Sequence, residues 1–551
     1  MRITLDWLKR HLDTEATLEE IVDALNRIGL EVEDVEDRSA ELAPFTVGYV
    51  VKAEQHPNAD KLRVCMVETG SGEVQVVCGA PNARTGMKGV FAPSGSHIPG
   101  TGVDLKETEI RGVASRGMLC SEREMGLSDE HDGIIDLPED AEVGASYAAL
   151  SGLDDPVIDI GVTPDRGDCF SVRGIARDLA AAGLGTLKLL DTSPVPGSFK
   201  SPLGIELRFD DATKDACPAF IGRYFKGLKN GPSPSWMQQK LRAVGLRPIS
   251  VLVDITNWLT MDLGRPAHIY DADKVKGTIG VRIAEPGERF DALNDKSYDT
   301  DGEMTVIFDD SGMLGLGGVI GGESTGADDG TVNGFLEIAL FDPIRTAATG
   351  RKLGLVTDAR QRFERGIDNT FAPEGMEIAT RLVLELCGGE ASEVVQAGEI
   401  PTGHETMNVR PSRVQSLGGI AIVKRRAEAI LADLGFEASD VGDDQWSVSI
   451  PTWRHDMQCE ADVIEEVLRI HGFDEVPMVS LPRVSALTRP VLSTRQKHVR
   501  WARRTLASRG MSEAVTYSFV SSAQAGLFGG GNQGLTLVNP ISADMDMMRP
   551  S

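Results

Sequence analysis

The sequence predicts a multidomain α+β protein: helical segments on either side of a small β-barrel, then a larger α+β domain, a second small α+β domain and the start of a further one. Three observations predict this. The chain has 551 residues, and at roughly 100 to 200 residues per domain that length implies about three to five domains. Its 41% hydrophobic and 25% charged residues match an ordinary globular composition, which argues against disorder and fibrous repeat. The apolar spacing also changes period several times along the chain, from helical to strand-like and back.

In chain order, residues 1–38 read as a small helical unit. Leu18, Ile21, Val22, Leu25 and Ile28 fall at helical spacing, Thr17 with Glu20 forms a capping-box pattern, and Gly29 follows as a stop. Residues 39–150 change to short β-branched runs ("FTVGYVV", "LRVCMVET", "VQVVCG", "KGVFAP") divided by Gly, Pro and Asn; many short strands with frequent turns indicate a small barrel. Residues 151–200 return to helix in "SVRGIARDLAAAGLG", and "LDTSPVPGSFKSPLG" reads as a linker. Residues 201–400 mix strand-like runs ("VRIAEP", "EMTVIFDD", "GFLEIALF") with helix-like ones ("SWMQQKLRAVGL", "MEIATRLVLELCGG"), the pattern of an α+β domain. Residues 401–476 hold a basic amphipathic helix over "SRVQSLGG...VKRRAEAILADLGF", a strand "WSVSIP" and an acidic helix "CEADVIEEVLRIHGF", and residues 477–551 open a last domain. The sequence has no internal repeat at a fixed period.

Charge and composition exclude several classes. Lys and Arg number 56 against 83 Asp and Glu, a net charge of −27, which disfavours non-specific adhesion to nucleic acid or anionic membrane. A local exception is the run Arg483, Arg489, Arg495, Lys497, Arg500, Arg503, Arg504 and Arg509, which has no acidic residue within it; it reads as a solvated basic helix or as a contact for an acidic partner or RNA. The seven cysteines, at 65, 78, 120, 169, 217, 387 and 459, include no C-x-x-C pair, so neither a disulfide framework nor a zinc knuckle is expected. No apolar run reaches the roughly 18 to 20 residues of a membrane span and the charged N-terminus lacks a signal peptide's apolar centre, so the expected location is cytoplasmic. G-x-S-x-G, H-E-x-x-H and G-x-x-x-x-G-K-[ST] patterns are missing, which leaves an independent hydrolase, metalloprotease or P-loop NTPase without support.

The most distinctive stretch for its length pairs "EQHPNADKLRVCMVETG" with "IRGVASRGMLCSEREMGL". His56 to Asp60 form a rigid loop entering a strand, and Arg111, Arg116 and Arg123 bracket a Gly-containing turn whose backbone amides suit a phosphate. The whole string resembles the oligonucleotide-binding (OB-fold) barrel of tRNA-binding proteins, which implies His56, Lys61, Arg111 and Arg116 as RNA-contact candidates. The resemblance runs further. The opening "MRITLDWLKRHLD", "TPDRGDCFSVRGIARDLAAA", "RPISVLVDITNWLTMDLGRPAHIYDADK", "GLVTDARQRFERGID" and "PTWRHDMQCEADVIEEVLRIHGFDEVP" follow one another in the order seen in β subunits of bacterial phenylalanyl-tRNA synthetases.

That resemblance implies a finer architecture. Residues 1–38 and 151–200 would join as one N-terminal α/β domain into which the barrel of 39–150 is inserted. Residues 201–400 would be an editing domain of B3/B4 type, 401–476 a winged-helix-like, DNA-binding-like domain of B5 type, and 477–551 the shortened start of a class II synthetase-like antiparallel domain. It also implies partners: an α subunit in an α2β2 tetramer that supplies ATP and phenylalanine activation, and tRNA-Phe. The β chain would hydrolyse tyrosine wrongly attached to that tRNA. His268 would position or activate the attacking water, with Asn257 and Thr256 beside it; Glu337 would accept a hydrogen bond from the tyrosine phenol; Gly317 and Gly318 would let backbone approach the substrate. Read from spacing alone, Asp462, Glu465 and Glu466 face one way on a helix with Asp456 upstream, a solvated face or a set of hard oxygen ligands; the resemblance implies Mg2+ there. The chain departs from the family at Val356, where relatives usually have His, and at Arg360-Gln361, where they have Ser-His.

Overall fold

The computed structural model describes residues 1–401, 403–481, 490–530 and 532–550. They form two compact units, Met1–Pro477 and Met478–Ser551.

In the first unit, strand Arg2–Thr4 pairs antiparallel with Val157–Gly161, which pairs in turn with Glu31–Glu36. Residues before and after the barrel thus close one three-stranded sheet. The sheet adds strands to what the spacing showed only as a small helical unit: a three-residue strand and the acidic "EVEDVE" give almost no alternating apolar signal. The capping box does form, Thr17 accepting from the Glu20 amide and Glu20 from the Thr17 amide, and Gly29 takes the left-handed conformation, φ 85°, that ends the helix.

Residues 46–119 make a five-stranded antiparallel sheet in the order Gly117–Leu119, Lys88–Pro93, Thr46–Gln55, Arg63–Glu68, Glu73–Cys78. Its ends curl together: the Arg116 amide donates to the Gln75 carbonyl at 2.9 Å, and the Val77 amide donates to Ser115 Oγ at 3.0 Å. The nearly closed barrel has its own core, Val50, Cys65, Val67, Val76, Phe91, Leu119 and Ile134 among others.

The central region has two sheets. One is His268–Asp271, Gly334–Leu340, Ala219–Lys226 and Glu390–Ala391 in that order; the other is Ile205–Arg208, Ile279–Ile283, Thr305–Asp309, Gly312–Leu316 and Ile320–Gly321. The segment "VLVDITNWL", an apolar run that suits a buried strand or a helix, is helix, Val251–Leu263. Trp258 on that helix stacks on Trp7 with ring centroids 4.2 Å apart, and Asp262 Oδ1 accepts from Trp7 Nε1 at 2.7 Å with His11 Nε2 at 2.5 Å. The linker segment is strapped down: Arg381 donates to the carbonyls of Asp191 and Ser193 at 2.7 and 2.8 Å, and the Val195 amide donates to Glu377 at 2.7 Å.

Beyond it, strands Thr406–Val409, Gln445–Ser449 and Glu437–Gly442 form a three-stranded sheet with helix Glu460–His471. The single basic helix expected there is two, Ser412–Gly418 and Lys424–Asp433, because Gly419 caps the first at φ 79°. One hydrophobic core runs from Ile3 through the central sheets to Ile470.

Inside this unit seven charged side chains form a chain of ion pairs. Arg166 donates to Asp168 at 2.9 and 3.0 Å and to Asp178 at 2.8 Å; Arg469 donates to Asp178 at 2.8 Å, to the Ile28 carbonyl at 3.2 Å and to Glu466 at 2.6 and 3.0 Å; Arg454 binds Glu466 and donates to Asp456 at 2.7 and 2.8 Å. Burial alone would raise the Glu466 carboxyl, but the guanidiniums of Arg469 and Arg454 outweigh it and hold the carboxyl well below the usual range.

The second unit contains helix Thr494–Ser508, opened by a Ser493/Gln496 capping box, and a short pairing of Phe519–Val520 with Met547–Met548. The helix is exposed along its length and carries Arg495, Lys497, Arg500, Arg503 and Arg504. Arg483 and Arg489 of the basic run lie outside the described residues.

Candidate active site

Strand register builds the site. His268 lies directly opposite Glu337 in the antiparallel pair, and Tyr270, two residues on from His268, falls on the same face. Cross-strand neighbours in such a pair have Cβ atoms about 5 Å apart, so the polar side chains rise together from one sheet. Facing them are Ile307, Leu316, Ile320 and Gly321 of the second sheet, with Phe341, Ala359 and Phe363 at the side. They enclose about 140 Å³, close to the roughly 150 Å³ that accommodates one benzene ring. The chain reaches His268 by a sharp turn: Gly264, φ 68°, caps the helix, Arg265 is fully buried and donates to the Ala339 carbonyl, and Pro266 starts the extended segment.

Electrostatics make this cavity unusual. Glu337 is buried, and desolvation pushes its carboxyl up to about 7, against the opposing pull of the Tyr270 hydrogen bond and the Arg265 charge. Tyr270 donates its phenolic proton to Glu337 Oε2; burial, then the Glu337 charge, holds the phenol well above its usual value. Burial pulls His268 down to about 4, so the imidazole is neutral at pH 7. Its Nε2 is buried without a hydrogen-bond partner among the described residues, and its ring stands edge-on to Tyr270 at 4.4 Å. Gly321 is required for that placement, since a Cβ there would sit 2.6 Å from His268 Cε1.

Of the sequence-predicted residues, the structure brings His268, Glu337 and Gly318 to this cavity. Thr256 and Asn257 are not among its lining residues, and Thr256 donates its hydroxyl to the Val253 carbonyl within its own helix at 2.7 Å. Gly317 is a packing glycine: a Cβ there would lie 2.6 Å from the Phe341 ring. The departures at 356–361 point elsewhere. Val356 is 74% exposed, and Arg360 is buried against Gly350, donating to the Leu355 carbonyl and, at 2.9 Å, to Glu364. Sequence reasoning missed Tyr270, Ala359 and Phe363. The period-two rule on the strand of His268 was the signal that could have found Tyr270.

The carboxylate quartet is not the single helix face that spacing suggested. Glu465 is exposed, while Glu466 is buried between two arginines. Asp456 is taken by Arg454, and Asp462 Oδ2 accepts from the Gln458 and Cys459 amides at 2.7 and 2.8 Å. These four do not fit a Mg2+ cage as a set, because a guanidinium already neutralises two of them. Asp168, Cys169 and Asp178 do converge, but Arg166 Nη2 sits 2.8 Å from Asp178 and 2.9 Å from the Cys169 sulfur, filling that space with a cation of its own.

On the barrel, His56 is buried: its Nδ1 accepts from the Asn58 amide and its Nε2 lies by the Ile110 carbonyl, both at 3.0 Å. It is a loop staple rather than an exposed contact. Lys61, Arg111 and Arg116 are exposed, Arg111 at φ 49°.

Four family models match the chain: a putative tRNA binding domain over residues 45–146, a B3/4 domain over 216–388, a tRNA synthetase B5 domain over 407–473, and a phenylalanyl tRNA synthetase beta chain CLM domain over 479–551. The phenylalanine–tRNA ligase beta subunit of Paramagnetospirillum magneticum is 52% identical over all of this chain and 69% of its own length. That of Rhodospirillum rubrum is 51% identical, with the same shares covered. Among solved structures, an N-terminal fragment of the phenylalanyl-tRNA synthetase beta subunit from Pyrococcus horikoshii aligns with 58% of this chain and 88% of its own, at 17% identity and a TM-score of 0.32.

Proposed function

Because the chain belongs to the phenylalanine–tRNA ligase β-subunit family, and so to a ligase that works as a complex, we propose that it binds tRNA-Phe, assembles with an α subunit as α2β2, and hydrolyses tyrosine misattached to that tRNA. ATP and phenylalanine enter through the α subunit, in the cytoplasm. The proposed division is 1–38 with 151–200 as N-terminal domain, 39–150 as OB-fold tRNA-binding barrel, 201–400 as editing domain, 401–476 as B5-type domain, and 477–551 as the start of the synthetase-like domain. Lys61, Arg111 and Arg116 are the RNA contacts of the barrel. Magnesium is not placed on Asp456, Asp462, Glu465 and Glu466 as a set.

The observation that carries the editing reading is a ring-sized cavity with a buried carboxylate at one wall. A pocket built for phenylalanine rejects an isostere with one added hydroxyl by only about 10²-fold, so a second site must recognise the hydroxyl positively. Glu337 supplies the acceptor. In the hydrolysis, water attacks the ester carbonyl carbon, the bond to the ribose oxygen breaks, and the water's proton ends on that oxygen. An imidazole with a pKa near 4 is a weak base at pH 7 but a good acceptor, so His268 orients the water through its Nε2 lone pair rather than removing a full proton. Thr256 and Asn257 belong to the helix Val251–Leu263 and are not among the residues that line the cavity.

The test is hydrolysis of Tyr-tRNA-Phe, with Phe-tRNA-Phe as control, by the chain with and without the α subunit. Selective loss of tyrosine that needs His268 supports the reading. If tyrosine stays attached with tRNA and the α subunit present, the chain is a tRNA-binding scaffold.

A further inference from the structure

Glu337 is the acceptor on which a tyrosyl substrate would be read, yet a phenol already occupies it. Tyr270 reaches its own hydroxyl to Glu337 Oε2, from two residues beyond His268 on the same strand face. Tyr270 is the one side-chain donor to Glu337 among the described residues, and Glu337 lines the cavity. The groups facing this carboxyl are few: Tyr270 and His268 from the neighbouring strand, Arg265 from the preceding turn, and Cys217, whose buried thiol is raised first by desolvation and then by the Glu337 charge. Arg223, on the strand at the other side, turns away to Glu377 at 3.0 Å, Arg360 bonds within its own helix region, and Arg362 is held by Asp358 and the Met261 sulfur, both at 3.0 Å.

We propose that Tyr270 is a specificity-determining residue: its phenol is a standing donor to Glu337 that lowers the site's discrimination between tyrosyl and phenylalanyl esters. The inference rests on the editing reading for its substrate. Sites that hydrogen-bond a substrate hydroxyl reject the analogue lacking it because a buried polar group is then left unpaired. Here a phenylalanyl side chain leaves Glu337 with one donor still in place, so that rejection is blunted. Tyr270 also explains how a carboxyl can sit at the wall of an apolar cavity in the absence of substrate: it keeps the acceptor from being orphaned.

Substituting Tyr270→Phe removes the standing donor and keeps the ring. With the full chain assembled with its α subunit, the ratio of kcat/KM for Tyr-tRNA-Phe over Phe-tRNA-Phe is expected to rise about tenfold or more in Y270F, the order of one hydrogen bond. The double variant Y270F/E337Q, which leaves no carboxylate unpaired, is expected to lose that gain. An unchanged or lower ratio in Y270F overturns the proposal. A second arm measures binding of L-tyrosinamide and L-phenylalaninamide by calorimetry, which does not depend on hydrolysis. A shifted binding ratio without any ester hydrolysis removes the editing reading and keeps the role of Tyr270; hydrolysis with both ratios unmoved does the reverse.

Discussion

Glu466 and Glu337 are both buried glutamates in the first unit, and they are opposites. Glu466 lies between Arg454 and Arg469 and is held well below the usual carboxylate range. Glu337 has one phenol for a partner and is pushed up to about 7. Full compensation makes a charge structural, because every lone pair is spent on the protein itself. Partial compensation leaves a lone pair for something else, and that is where a ligand can be read. The same contrast separates Arg166, enclosed by two aspartates, from Arg265, whose Nε has no partner among the described residues.

The largest effect that would break the comparison lies in the compensated region. Removing one member of a buried ion network leaves its partners unpaired and costs about 3 to 5 kcal/mol, so Arg469→Met is expected to lower the denaturant midpoint sharply while E337Q does not. Opposite pH slopes come next. The folded Glu337 carboxyl is raised, so its contribution to stability is full below about 4.5 and is lost as pH rises through about 7, amounting to about 3 kcal/mol by the time it is ionised. Glu466 and Asp168, whose carboxyls lie low, contribute above the ordinary carboxylate range and lose that as pH falls through their folded values. Urea titrations of wild type and E337Q between pH 5 and 8 should therefore diverge upward in favour of E337Q; parallel curves would sink the assignment. His268→Ala should reduce tyrosyl-ester hydrolysis about 10²-fold with little change in unfolding. At the small end, Val356→Ala and Glu465→Ala should each stay within about 0.5 kcal/mol of wild type, and Val356→Ala should leave hydrolysis unaltered.

Much of this was legible in the sequence, for physical reasons that differ by residue. Apolar periodicity gave the helices over Ala372–Cys387 and Glu460–His471, turn frequency gave the barrel, and the apolar run at Val251–Leu263 left strand and helix open. His268 and Glu337 came from resemblance, since neither spacing nor composition marks them. The sheet that joins Arg2–Thr4 to Val157–Gly161 was illegible because its pairing is non-local and its strands are short. Spacing misled at Glu465 and Glu466: adjacent helical positions lie about 100° apart, so one can face solvent while the next is buried. No sequence rule announced that Arg454 and Arg469 would claim the second.

The stacking of Trp7 on Trp258, with Trp7 also donating to Asp262, joins groups that are up to 255 positions apart. During synthesis at about 5 to 20 residues per second, the first helix therefore waits roughly 12 to 50 seconds before the surface it needs has left the ribosome. The beginning of this chain is made first and finished late. The strand edge Arg2–Thr4 and the terminal ammonium meet their partners at residues 157–160, about a hundred residues sooner, so for that interval it is the Trp7 indole that stands without the ring it stacks on.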